Sequence, residues 1–215
     1  MTASAQQTPV SVAAEYPALA FIVQQLLSKV QTASVVKVLA VQPGAVGPVG
    51  YVTVQILVNQ MTGDRTAVPH GSIPNIPYFR LQGGTNAVII DPQVGDLGIC
   101  LFCSRDIANV KATKAQANPS TFRMFDFNDG LYVGGILNGT PQQYVQFAAG
   151  GITIVSPQQI TLQAPTVNIQ GSSAVNIGSP ATALTGGNTS IDGKAFLPHK
   201  HSGVQPGSGQ SGGVV

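Results

Sequence analysis

Over residues 130–191 the chain alternates apolar and polar side chains without a single Asp, Glu, Lys or Arg. Three phrases recur inside this run: Ile160-Thr161-Leu162-Gln163-Ala164, Thr166-Val167-Asn168-Ile169-Gln170 and Ala174-Val175-Asn176-Ile177-Gly178. A period of two is that of a β-strand, here with one apolar face and one lined by Thr, Gln and Asn. Their matching apolar positions Leu162, Ile169 and Ile177 are seven and eight residues apart, with Pro157, Pro165, Gly171, Gly178 and Pro180 at the corners. That spacing is too tight for hairpins of full-length strands and predicts the short rungs of a β-helix or β-prism.

A stack of such rungs cannot close a core by itself. Each rung is about 17 Å long, and Ile160, Leu162, Val167, Ile169, Val175 and Ile177 form one narrow stripe. Burying an Ile or Leu stabilises by roughly 1.5–3 kcal/mol, so the stripe needs a partner, and further copies of the chain around an axis provide one. Three flat walls make the smallest prism whose interior is filled by side chains, so the pattern predicts a homotrimer. Closure also removes strand edges that would otherwise be open to aggregation. A Gln/Thr/Ser/Gly linker has a similar composition, but the regular Ile and Val speak against one.

Upstream the period changes twice. Residues 16–31 place Leu19, Phe21, Ile22, Val23, Leu26, Leu27 and Val30 at helical spacing, with Pro17 tolerable in the first turn. Such a helix either packs on a partner ring or covers its own domain. From Ser34 the pattern predicts strands over residues 35–41, 50–58, 86–90 and 98–103. A hairpin on an Asp129-Gly130 turn then joins residues 125–128 to 131–136. Five or six short strands over about a hundred residues describe a small barrel, with the OB-fold as the candidate. The Pro-rich residues 67–80 read as a loop feeding it. The chain is thus expected to be all-β in four parts: an N-terminal arm and helix (1–33), an OB-fold domain (34–140), a trimeric β-helix shaft (141–191) and a tip (192–215).

Composition narrows the chemistry. Charged residues make up 8% of the 215, and the net charge is +2, against roughly 25% charged residues in average usage. Nothing here tracks a phosphate backbone, so no nucleic-acid partner is expected. No apolar run approaches the roughly 20 residues of a membrane span. Residues 1–7 lack the basic start of a secretion signal, which predicts synthesis in the cytoplasm. Asp91, Asp96, Asp126 and Asp129 fall singly in turns, Glu15 is the only Glu, and there is no Walker loop; no enzyme activity is expected. Cys100 and Cys103 form a C-x-x-C inside a strand pattern, where residues three apart face opposite ways. They read as structural cysteines rather than a redox or zinc pair. His70, alone in a Pro-rich loop, reads as structural or solvated.

His199 and His201 are different, because an i, i+2 pair on an extended segment projects both imidazoles to the same side. One chain supplies too few ligands for a stable site. On a threefold axis the pair becomes six nitrogens, which favours iron or nickel over tetrahedral zinc.

The run Val94-Gly95-Asp96-Leu97-Gly98-Ile99-Cys100-Leu101-Phe102-Cys103-Ser104-Arg105-Asp106-Ile107, preceded by Pro74-Asn75-Ile76-Pro77-Tyr78, resembles the N-terminal domain of the cell-puncturing central spikes of contractile-tailed bacteriophage baseplates. The end of the chain, from Leu197-Pro198-His199-Lys200-His201 to Gly212-Gly213, is similar to the apex of the same family. The resemblance implies a homotrimer with an OB-fold collar, a β-helical shaft, and a tip where His199 and His201 of each chain hold one shared Fe ion. It further implies a place in the virion, at the tip of the tail baseplate, with tail hub, baseplate and tube proteins as partners and the host outer membrane as target. Lys200 stands where the family often has a small or hydroxylated residue. A receptor-binding tail fibre or adhesin for surface carbohydrate is the alternative. The absence of Trp, and Phe196 as the only aromatic after Phe147, argue against it.

Overall fold

The computed structural model describes residues 15–186, 189–195 and 207. The chain divides into two compact units, residues 1–155 and 156–215.

The first unit begins with helix α1 (Glu15–Leu27), three to four turns whose apolar residues lie on several sides. Tyr16, Leu19, Val23 and Leu26 of this helix are exposed. A five-stranded antiparallel sheet follows, built from β1 (Ala33–Gln42), β2 (Tyr51–Ile56), β5 (Ser72–Pro77), β8 (Leu97–Phe102) and β9 (Gly130–Gly135) in the order β5-β2-β1-β8-β9. The sheet curls until its two edges approach. Tyr78, just past β5, makes a parallel bridge to Tyr132 of β9, and the Phe79 amide donates to the Tyr132 carbonyl at 2.7 Å. Gly98 is what lets Tyr132 lie across the interior, since a Cβ there would run into its ring.

Strand alternation fills the inside of the curl. Val36 and Val38 of β1, Val52, Val54 and Ile56 of β2, Cys100 and Phe102 of β8 and Tyr132 of β9 all point inward and are buried. Each such side chain contributes roughly 1.5–3 kcal/mol.

Two expectations need correction. Residues 67–80 are not simply a loop: β5 is an edge strand of the sheet, and an edge is where Pro74 and Pro77 are tolerated. Inside it Asn75 takes φ 59°, and Val54 and Val52 of β2 face Ile73 and Ile76 respectively. The extra residue is a β-bulge, which turns two isoleucines three apart to the same interior. Nor is Asp129-Gly130 a hairpin turn. Asp126 caps a 3-10 turn (Phe127–Asp129) by accepting from the Asn128 amide, Asp129 is buried, and Gly130 opens β9, whose partner is β8.

Three small hairpins complete this unit: β3 (Gln60–Met61) with β4 (Ala67–Val68), β6 (Leu81–Gly83) with β7 (Asn86–Val88), and β10 (Tyr144–Ala148) with β11 (Gly151–Val155). The strand expected over residues 86–90 is therefore β7, paired outside the main sheet. A short helix (Ala108–Thr113) lies in the connection to β9. In the second unit β12 (Ser190–Ile191) and β13 (Lys194–Ala195) turn through Asp192 and Gly193, both at positive φ. The three predicted rungs pair with no strand among the described residues.

Candidate assembly surface

Five charged residues of the first unit are gathered into two ties. Asp106 and Asp129, far apart in the sequence reading, meet around Arg123. Its Nε and Nη2 donate to both oxygens of Asp129 at 2.7 and 2.8 Å, and Nη2 also donates to Asp106 at 2.8 Å. Both carboxylate side chains are fully buried. Asp106 further accepts from the Ala108 amide and the Thr121 hydroxyl, and Asp129 from the Ile107 amide. The Ala108 amide, with Thr121 and Arg123, outweighs burial and holds the Asp106 carboxyl below the usual carboxylate range. The carboxylate pair accepts three hydrogen bonds on each side chain. It is a fastening that locks the β8–β9 connection.

The second tie is Arg80, which donates to Asp91 at 2.8 Å and to the Gly47 carbonyl at 2.9 Å. Tyr78 Oη donates to the same carboxylate at 2.7 Å while accepting from the Gly44 amide. Burial opposes ionisation of Asp91, but Tyr78, Arg80 and the Ala45 amide together keep its carboxyl below the ordinary value. The β1–β2 loop is thus fixed to the end of β5.

The cysteines are quiet. Cys100 sits in the inward row of β8, and burial pushes its thiol up to about 12. Cys103, just past the strand, is half-buried and also raised, first by burial and then by the Asp129 charge. Both are free thiols with little thiolate at neutral pH. The His70 ring stands edge-on to Phe127 with centroids 5.5 Å apart, and its carbonyl accepts from Gln55.

What the chemistry of these ties does not use is a long uncharged surface. In the β10–β11 hairpin the cross-strand pairs Val145↔Ile154 and Phe147↔Ile152 share one face, and all four side chains are 55–77% exposed. A two-stranded hairpin is marginal alone, and this one shows its apolar face to solvent. In the second unit Ile160, Leu162, Val167, Ile169, Val175 and Ile177 are 49–72% exposed. An apolar face such as that of the hairpin marks an interaction site. Sequence alternation found these residues; only the structure adds that nothing among the described residues buries them.

The metal ligands expected at His199 and His201 lie outside the described residues, as does most of the expected tip. Among the described residues no group of three or more His, Cys, Asp or Glu is placed to hold a metal ion. Among them, too, no helix is long and apolar enough to cross a membrane. No family model matches the chain, and no curated protein matches it.

Proposed function

We propose that the protein is the central spike of a contractile phage tail: a homotrimer, mounted at the baseplate tip, that is driven through the outer membrane of a bacterial host. The observation that carries this reading is the uncovered stripe from Ile160 to Ile177. Its side chains are too apolar for a solvated linker, and its rungs pair with no strand among the described residues. Three copies in parallel around an axis would bury the stripes and pair the rungs between chains, giving a stiff prism with Thr, Gln and Asn outside. The curled sheet ahead of it fits an OB-like collar, since its order and its β5–β9 closure are those of a small five-stranded barrel. Tail hub and tube proteins are the natural neighbours of that collar.

At the far end, His199 and His201 of three chains would supply six imidazoles to one iron ion. Linking all three chains, the ion would keep the point from fraying. Oligomer mass and metal content on one purified sample test the whole reading. A trimer with one iron per three chains is the expected result. His199→Ala or His201→Ala should each remove the metal while the trimer persists. A monodisperse monomer at micromolar concentration overturns the spike; one ion per chain, or metal surviving both changes, overturns the tip.

A further inference from the structure

A cavity of about 390 Å³ opens in the first unit between the β6–β7 hairpin and β9, within the roughly 300–1,000 Å³ of ordinary ligand pockets. Its walls are apolar: Phe79, Leu81, Val88 and Ile90, with Leu81 and Val88 opposite one another in the hairpin. Two polar groups of its lining are left over by the rest of the fold. Arg80 is held by Asp91 and the Gly47 carbonyl through its two Nη atoms, and its Nε is buried with no hydrogen-bond partner among the described residues. Tyr132, a residue 1% exposed, has its Oη buried and unpartnered in the same way. Burial, and after it the Asp96 charge, raises the Tyr132 pKa, so the hydroxyl keeps its proton at neutral pH and can donate. A buried donor without an acceptor is costly, and here two of them belong to the lining of one cavity.

We propose that this cavity binds an uncharged amide carbonyl carried on a short branched apolar body, the oxygen accepting from Arg80 Nε and Tyr132 Oη and the body lying against Leu81, Val88 and Ile90. The charge of the lining selects this class. Two donors need an acceptor, which a cation does not offer. An anion would accept, but Arg80 is already paired with Asp91, and Asp96 adds a second carboxylate to the lining, so a further negative charge would be repelled. A neutral carbonyl satisfies both donors without that penalty. The tie to Asp91 also fixes the guanidinium before a ligand arrives, so little side-chain freedom is lost on binding. The site lies wholly within the first unit of one chain and does not depend on the oligomer proposed above.

The probes are 4-methylpentanamide and 4-methylpentanoate, which share a body and differ in charge, titrated into the full chain at pH 7 while the Arg80 Nε–H resonance is followed by NMR. The amide should shift that resonance saturably, in the millimolar range expected of so small a ligand, and the carboxylate should bind about tenfold more weakly. Tyr132→Phe removes only the hydroxyl: it should weaken the amide about tenfold without lowering the ligand-free melting temperature, because no hydrogen bond is lost. Ile90→Ser, at an exposed wall position, should weaken binding several-fold and decides the matter if Tyr132→Phe does not fold. A blocked glycyl-leucyl-glycine that binds more tightly than the amide assigns the carbonyl to a peptide chain; one that binds more weakly assigns it to a free small molecule. No saturable shift with either probe up to its solubility limit, which would leave the donors to water, overturns the site. So does tighter binding of the carboxylate, an affinity unchanged by both substitutions, or a lower ligand-free melting temperature in Tyr132→Phe. None of these outcomes bears on the trimer.

Discussion

The barrel and the charge-free stretch that follows it solve opposite problems with the same strand alternation. In the curled sheet the inward Val and Ile of β1 and β2 meet Cys100 and Phe102 of β8, and five charged residues are fastened around Arg80 and Arg123. From Tyr144 to Ile177 the apolar residues are as regular, yet all of them but Val155 are exposed. The first region closes a core within its own residues. The second has the pattern of a core and no second wall, which is the physical meaning of a sequence written for company.

The largest test of that contrast is a paired substitution in the second region. Ile169→Asp would place three carboxylates in a dry core, at a cost of several kcal/mol per ion, and should abolish trimer formation in light scattering. Asn168→Asp, on the polar face, should leave the trimer intact. Equal tolerance of the two would show that Ile169 does not face inward. In the barrel the corresponding blow is Arg123→Ala, which leaves Asp106 and Asp129 buried without their cation. Its melting transition should fall on the order of 10 °C with no change in oligomer mass; a lost trimer would mean that the two regions are not independent.

Acid sharpens the comparison more gently. Asp91 and Asp106 have lowered pKa values in the folded barrel, so their contribution is present above the ordinary carboxylate value of about 4 and is lost as pH falls through the folded values. Residues 130–191 contain no Asp, Glu, His, Lys or Arg to protonate. Between pH 7 and pH 3 the barrel's melting temperature should drop while the trimer mass holds. Parallel loss of both would break the distinction.

Much of this was legible in the residues. Alternation marked β1, β2 and β8 to within a few positions, and the helical spacing of Leu19, Val23 and Leu26 marked α1. The strand β5 was hidden because its prolines argue against a strand, and because the bulge at Asn75 breaks the period of two on which detection depends. Asp129-Gly130 has the chemistry of a tight turn, and only tertiary structure shows that the carboxylate is spent on Arg123. The ties at Arg80 and Arg123 join residues up to 46 positions apart, a separation at which no local pattern exists. The apolar stripe was visible in full, because its signal is periodic and its partner need not be in the same chain.

The absence of charge from Gly130 to Ile191 has a further consequence for motion through a medium. An ionised side chain carries bound water and counterions, and stripping them on entry into lipid or a crowded polymer costs several kcal/mol each. Thr, Gln and Asn hold water by hydrogen bonds that can be exchanged one at a time. The proposed shaft, with such an exterior, would be wetted, dried and wetted again along its length, with no position at which electrostatics would hold it in place.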